Sequence, residues 1–328
     1  MPDRGAGSAG LPPWKQTAAA FVAAVESGRL DLPLPGGGQT AQRWSALADL
    51  AAEDLSLARL GEGHADAVAI LAELCAPRPV AGSRWGVWAA QPPGPGLNAS
   101  QAGDDWFLTG TKQYCSGARV CTHALVTAAA PDGNRLFAVR TDALVPRPGT
   151  WPATGMAGSD TLNVDFDHIA AEPVGPAGAY TGRAGFWHGG AGVAACWYGG
   201  ARAVGRVLLA SARQRDVGPF ALAHLGAVDI ALGTARAALD GAAATIDADP
   251  ADHADSGRGR ALRVRALVES AATDVLGRVG RALGAGPLGH DEAHSRRVAD
   301  LTVYLRQHQA ERNLAELGTL VKERGTSW

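Results

Sequence analysis

Apolar residues recur at helical spacing at the two ends of the chain and at strand spacing in its middle. Helices are predicted from Trp14 to Leu30, from Gln39 to Leu60 and again around residues 68–74, because Leu, Val and Ile recur there every three or four positions among Ala. A Pro- and Gly-rich break separates the first two helices. The first 78 residues are therefore expected to be helical.

Strand signals replace the helical pattern from about residue 85 to about residue 174. Leu162, Val164 and Phe166 alternate with polar neighbours, as expected of a half-buried strand. Pro-Asp-Gly-Asn at residues 131–134 separates two short apolar runs and is a turn signal. This middle region is predicted to be β.

Helical spacing returns from Gly190 and continues to the end of the chain. Further long helices are predicted at residues 218–247, 258–283 and 293–318. Four helices of this length, joined by short loops, indicate a bundle. The order is α, then β, then α, and it divides the chain into residues 1–78, 79–180 and 181–328.

Composition narrows the classes of function. The 328 residues are 46% hydrophobic and 19% charged, and 30 Lys and Arg nearly balance 32 Asp and Glu. This balance argues against a nucleic-acid or anionic-membrane surface, which needs surplus basic residues. The four cysteines form no C-x-x-C pair, the N-terminus has no export signal, and no run of about 18 apolar residues spans a bilayer. A cytoplasmic protein without a membrane span is expected.

Two short motifs favour ordinary structure over a binding site. Residues 284–289 match G-x-G-x-x-G, but a predicted helix rather than a strand precedes them, so a dinucleotide fold is not indicated. His290 and His294 stand four apart without the glutamate that a zinc peptidase needs after the first histidine. Asp291 and Glu292 suit the start of a helix, and no metal site is predicted.

The residues from Trp106 to Ala118 resemble the motif W-x-L-x-G-x-K-x-[WY]-I-[ST]-x-[GA] of the acyl-CoA dehydrogenase family. Gly155 to Phe166 are similar to the strands that close the β region in that family, and the resemblance extends from about residue 34 to residue 318. It implies an α+β fold with N-terminal helices, a central antiparallel β-barrel or sandwich and a C-terminal four-helix bundle. It also implies FAD as the cofactor, with Tyr114, Cys115 and Ser116 lining the flavin ring.

Other flavin contacts implied by the resemblance are less well matched. Gln91 lies where the family has a flavin-contacting loop. Arg215 and His224 approximate a passage from which family members reach the flavin of a neighbouring subunit, and this implies a homodimer or homotetramer. Arg281 and Gly284 lie where the family shows Q-x-x-G-G-x-G near the cofactor.

The catalytic base is the largest departure from the family pattern. Leu301, Leu305 and His308 are spaced four and three, so His308 is expected on the inward face of the last helix, where a histidine is more often a core residue. In the family pattern R-D-A…Y-x-x-x-E-G, the residues here are Asp300, Tyr304 and, in place of the glutamate, His308. The first long C-terminal helix offers no carboxylate at its start either.

Three functions remain open from the sequence. The first is α,β-dehydrogenation of an acyl thioester with His308 as the base, since a neutral imidazole can accept a proton near pH 7, and an electron-transfer partner would then be required. The second is a flavin-dependent monooxygenase of the same fold acting on another small molecule. The third is a non-catalytic paralogue that serves as a binding or scaffold subunit.

Overall fold

The computed structural model describes residues 11–94 and 96–325. Three helices come first: α1 (Pro13–Glu26), α2 (Thr40–Glu53) and α3 (Leu55–Glu73). The helical prediction for this region is confirmed, but two boundaries were wrong. α1 ends four residues early, just before Gly28 with φ of 71°. The second predicted helix breaks at Asp54, which is extended and whose carboxylate accepts the Leu57 N–H as the N-cap of α3.

Seven strands form the middle of the chain. They are β1 (Trp85–Trp88), β2 (Leu97–Ala102), β3 (Asp105–Cys115), β4 (His123–Ala130), β5 (Gly133–Arg140), β6 (Val145–Arg147) and β7 (Leu162–Pro173). They pair in the order β1-β4-β2-β3-β7-β5, with β6 on β7, and β4 also pairs with β5. Five of the strands therefore pair in a ring.

The expectation that all these strands are antiparallel was wrong for two pairs. β4 runs parallel to β1, with Trp85 opposite His123 and Trp88 opposite Val126, and it meets β2 in parallel at one position. The β2–β3 hairpin lies between β1 and β4 in sequence, so β4 returns beside β1 in the same direction.

Seven helices complete the described chain: α4 (Ala179–Gly182), α5 (Ala184–Gln214), α6 (Gly218–Ala248), α7 (Gly257–Leu283), α8 (Gly286–His290), α9 (Glu292–Leu305) and α10 (Ala310–Arg324). The predicted helices at 218–247 and 258–283 are confirmed. The predicted helix at 293–318 is wrong, because the chain turns between α9 and α10. There His308 N–H donates to the Leu305 carbonyl three residues back, which tightens and ends the helix.

The hydrophobic core joins all three regions, and α5 runs through it. Trp197 of α5 is fully buried, as are Phe21 of α1 and Phe137 of β5. Gly199 lies where α5 crosses α2, and a methyl group there would collide with the backbone carbonyl of Ala48. The missing side chain is what allows these two helices to approach so closely. The division at residues 78 and 180 stays a prediction.

Helix α6 is the most exposed long helix of the described chain. Phe220 and Ile230 are 85% and 71% exposed, and Leu222 is exposed beside them. By length and composition alone α6 could cross a bilayer, with a mean hydropathy of 1.2 over its most apolar 18 residues. One such helix is weak evidence, so the absence of a membrane span remains an expectation. The N-terminal segment in which no export signal was found lies mostly outside the described residues.

Replacement of Gly199 by alanine tests the close contact of α5 with α2. We expect Gly199→Ala to lower the free energy of unfolding by about 1–3 kcal/mol, because the added methyl group overpacks a backbone contact. Gly280→Ala in α7 is the matched control, since a methyl group there meets nothing within 4 Å; it should stabilise by about 0.5–1 kcal/mol. Urea unfolding measures both, and equal effects would contradict the packing argument.

Candidate active site

A cleft of about 420 Å³ opens between the β region and the helices, and we call it the central cleft. Its walls come from α3, the end of β1, the start of α5, α7, and the α9–α10 turn with α10. The polar lining residues are Arg59, Glu62, Asp66, Tyr180, Arg183, Arg265, Gln307, Gln309, Asn313 and Glu316. Such a concentration of ionisable groups in a concave site is typical of functional sites.

Helix α3 contributes three of the charged side chains. Arg59, Glu62 and Asp66 are spaced three and four apart, so they share one face of the helix. Arg59 forms an ion pair with Glu62. These residues were not predicted as site residues, although charged residues at helical spacing within an otherwise Ala- and Leu-rich helix were the available signal.

Asp66 is the carboxylate of the cleft without a partner. No hydrogen bond or ion pair involves its side chain among the residues that the structure describes. A methyl group at Gly189 of α5 would lie 2.7 Å from its Oδ1 atom, so the glycine makes room for the carboxylate. Burial raises the pKa of Asp66, and the Arg183, Arg43 and Arg59 guanidinium groups oppose that rise. Burial also raises the pKa of Glu62.

Arg265 of α7 is a cation without a carboxylate partner among the described residues. Its Nη1 donates to the Gly190 carbonyl at 2.8 Å, its Nη2 donates to the Gln307 carbonyl at 3.4 Å, and it stacks over Trp197 at 4.8 Å from the ring centre. Burial lowers its pKa to about 10, which leaves it charged at neutral pH. Arg183, by contrast, is paired with Glu73 at 2.8 Å.

Apolar side chains line the rest of the cleft. Phe186 and Trp187 meet edge to face with ring centres 5.0 Å apart. Ala89 and Ala90, directly after β1, line the same cleft with small side chains. Trp197 itself belongs to the core and does not line the cleft. The cleft is therefore flanked by aromatic rings and lined with charges.

His308 is buried in the α9–α10 turn, with 4% of its surface exposed, and its neighbours Gln307 and Gln309 line the cleft instead. The Asn313 amide donates to His308 Nδ1 at 3.1 Å. Burial, and then the Arg265 guanidinium, lower the pKa of His308, so the ring is neutral. A neutral imidazole has one acceptor nitrogen, and here Asn313 occupies it.

The three residues expected beside the flavin ring point in different directions. Tyr114 is half exposed and has φ of 59°, a strained value for a bulky residue, where the pairing of β3 with β7 is interrupted. Cys115 is fully buried, and burial raises the pKa of its thiol well above the ordinary value. The Ser116 hydroxyl is 2.9 Å from Thr161 Oγ1, and its carbonyl accepts from the Trp88 indole.

Gln91 lies in a second cleft of about 590 Å³, which meets the central cleft at Ala90. Lys112 is buried in this second cleft and donates to the Thr127 carbonyl at 2.7 Å and to its hydroxyl at 2.9 Å. Burial lowers the pKa of Lys112 to about 8.

The remaining expected contacts lie far from the cleft, at one end of the bundle. Gly205 of α5 contacts Val228 of α6 and approaches α7. Arg215, His224 and Arg281 all lie further from the cleft than this contact, towards the end of the bundle where α5 turns into α6. Both arginines are exposed, and Gly284 is exposed beside them. The structure thus separates the predicted site residues into the β edge, the α9–α10 turn and this helix end.

The two weak motifs are ordinary helix boundaries. α7 precedes the glycines at 284–289, so no strand leads into them. The Asp291 carboxylate accepts the His294 N–H at 2.9 Å and caps α9, as the predicted helix start requires. Within the described ranges, no group of three or more His, Cys, Asp or Glu is placed to hold a metal ion.

Three proteins of known structure share this arrangement over nearly their full length. Glutaryl-CoA dehydrogenase from Mycobacterium smegmatis matches with a TM-score of 0.80 and 18% identity, covering 97% of this chain and 91% of that one. The chain has the acyl-CoA dehydrogenase fold. TdsC from Paenibacillus sp. A11-2, a dibenzothiophene monooxygenase solved with FMN and indole, matches at 0.76 and 18%, covering 95% and 96%.

KijD3, solved with FMN and a dTDP-linked amino-keto sugar, matches with a TM-score of 0.74 and 19% identity, covering 96% of this chain and 92% of that one. No family model and no curated protein sequence matches the chain. Because the sequence identities are this low, the structural matches establish the fold alone. The expected acyl-CoA dehydrogenase-like architecture is confirmed. Proteins of one fold differ in function through the residues of their sites, which here are those of the central cleft.

The pH dependence of stability tests the burial of Asp66. A carboxyl group whose pKa rises on folding binds more protons in the folded state than in the unfolded state. The stability that Asp66 contributes is therefore lost as the pH rises from the ordinary pKa of 3.8 through the raised pKa of the folded state. We therefore expect Asp66→Asn to be more stable than the parent at about pH 8 and to lose that advantage at about pH 4. Urea unfolding at both values measures this, and a pH-independent difference would contradict it.

Proposed function

We propose that the protein is a flavin-dependent monooxygenase that acts on a small polar molecule. The observation that carries this proposal is the charged lining of the central cleft by Arg59, Glu62, Asp66, Arg183 and Arg265. An apolar acyl chain lying there would remove Asp66 and Arg265, which form no ion pair among the described residues, from water without providing partners, and this is costly. A polar molecule can satisfy them. The fold is also that of TdsC and KijD3, both solved with FMN.

Dehydrogenation of an acyl thioester has less support from the geometry. Its base would be His308, yet the acceptor nitrogen of that ring is occupied by Asn313 and the ring does not line the cleft. We propose instead that His308 positions the α9–α10 turn, so that Gln307 and Gln309 face the cleft. Their amides can both donate and accept hydrogen bonds.

The residues of the cleft fit a flat, polar cofactor. Ala89 and Ala90 on one wall and Gly190 on another leave room beside the helix, since a methyl group at Gly190 would meet nothing within 4 Å. The amides of Gln309 and Asn313 offer hydrogen bonds at the edge. A bound flavin would supply the electrons and the reaction with oxygen, while these side chains orient it and exclude water.

We propose FAD as the flavin, held in part by a second copy of the chain. Arg215 and Arg281 are exposed at the same helix end and form no ion pair among the described residues, so both are available to a pyrophosphate. His224 lies on the same side. The exposed apolar face of α6 begins at this end with Phe220 and continues to Ile230. A symmetric dimer would cover that face.

Oxygen consumption with externally supplied reduced flavin tests the monooxygenase. We expect the purified protein to bind flavin and to consume oxygen in the presence of a substrate from a panel of small polar aromatic and amine compounds. His308→Gln should keep most of this activity, because its role is structural, and His308→Ala should mainly lower the melting temperature. Anaerobic bleaching of bound flavin by acyl-CoA would support a dehydrogenase instead, and a protein that takes up no flavin would support the non-catalytic alternative.

Subunit association and the identity of the flavin are tested together. We expect Ile230→Glu to convert the dimer to a monomer, since it places a charge in the apolar interface, and to weaken retention of FAD. Thr302→Glu, on the exposed surface of α9 rather than α6, is a control for added charge. Light scattering gives the mass, and chromatography of the released flavin distinguishes FAD from FMN. A parent protein that is monomeric or that releases only FMN would overturn this part of the proposal.

A further inference from the structure

Two carboxylates line the central cleft from α3, and only one is free to react. Glu62 is held in its ion pair with Arg59. Asp66, one turn later, has no such partner and lines the cleft beside Gly189. A proton acceptor has to lie within hydrogen-bond reach of the group it deprotonates, and Asp66 is the carboxylate placed for this.

The charges around Asp66 favour a substrate that becomes an anion. The titratable groups close enough for their charges to act on it, from α2, α3, α4 and the residue that precedes α5, are Arg43, Arg59, Glu62, Glu73, Tyr180 and Arg183. Three are cations and two are carboxylates, and the unpaired Arg265 adds a further cation to the same cleft. Positive charge already in place stabilises negative charge that develops on a bound molecule.

We infer that Asp66 is the proton acceptor of this site, and that its substrate is a small weak acid with an ionisable hydroxyl group whose anion is stabilised by Arg265. In this step the substrate O–H bond breaks, its electron pair stays on the substrate oxygen, and the proton forms an O–H bond with the Asp66 carboxylate. No electrons are exchanged. The inference rests on the proposed function for the chemistry that follows.

The surrounding structure supports this role. The edge-to-face pair of Phe186 and Trp187 offers an apolar wall for a flat substrate body. Gly189 keeps the space that the Asp66 carboxylate needs, because a methyl group would lie 2.7 Å from Oδ1. The raised pKa of Asp66 also makes it a stronger base than an exposed carboxylate.

Proton counting during binding tests the inference without turnover. The probe is 4-cyanophenol at about pH 7, which is mostly protonated in water, and its ionised form is identified by ultraviolet difference absorption. Calorimetry in buffers of different ionisation enthalpy gives the number of protons released on binding. The parent protein, as purified, should bind the probe in its ionised form and release almost no proton, because Asp66 takes it.

Asp66→Asn should behave differently, since an amide cannot take the proton. It should bind the probe in ionised form with release of about one proton, or bind it un-ionised. Asp66→Ser also lacks a carboxylate and should release a proton in the same way as Asp66→Asn, so it serves if the asparagine variant fails to fold. Asp142→Asn, an exposed carboxylate paired with Arg140, is the control and should also match the parent.

Three results would overturn the inference. They are failure of the parent to bind the probe, binding of the un-ionised probe by the parent, and ionised binding by Asp66→Asn without proton release, which would assign the proton to another group. Flavin content is measured on the same samples. A colourless parent that still shows the expected proton counts would contradict the proposed oxidation while leaving Asp66 as the acceptor.

Discussion

The close approach of α5 to α2 and α3 is the constraint on which the rest of the structure depends. Glycines on α5 allow it: Gly199 lies against the backbone of Ala48, and Gly189 leaves space for Asp66. Near the start of α5 the Gly185 N–H donates to the Glu73 carboxylate at 2.9 Å. Because side chains are absent at these points, helix axes can come close enough to bury the charged face of α3 beside an open cleft.

That burial has no obvious structural benefit. Ion pairs such as Arg59 with Glu62 are seldom more stabilising than well-packed apolar residues of the same size, since each charge loses its hydration. An unpartnered carboxylate such as Asp66 is a net cost. These charges lie together at this cost, next to aromatic walls and beside Arg265, which has no carboxylate partner. A bound ligand that pairs with Asp66 and Arg265 would offset the cost.

The sequence predicted the order of helices and strands, because periodicity reports which face of each element is buried. It also predicted that His308 turns inward, and His308 is buried. The break at residues 306–309 could not be predicted, since that segment contains neither glycine nor proline. The cleft could not be predicted from the sequence for a different reason. Arg59, Arg183 and Arg265 come from distant parts of the chain, and only the packing of α3, α5 and α7 brings them together.

Helix α10 forms one wall of the cleft through Asn313 and Glu316, yet none of its residues is buried. Two of the contacts that hold it are ion pairs at the surface, Arg258 with Glu316 at 2.6 Å and Arg324 with Asp255. Dissolved ions weaken such pairs, with a screening length of about 8 Å at physiological ionic strength. Salt is therefore expected to loosen the contacts that fix this wall of the cleft, so ligand binding should be measured at a stated ionic strength.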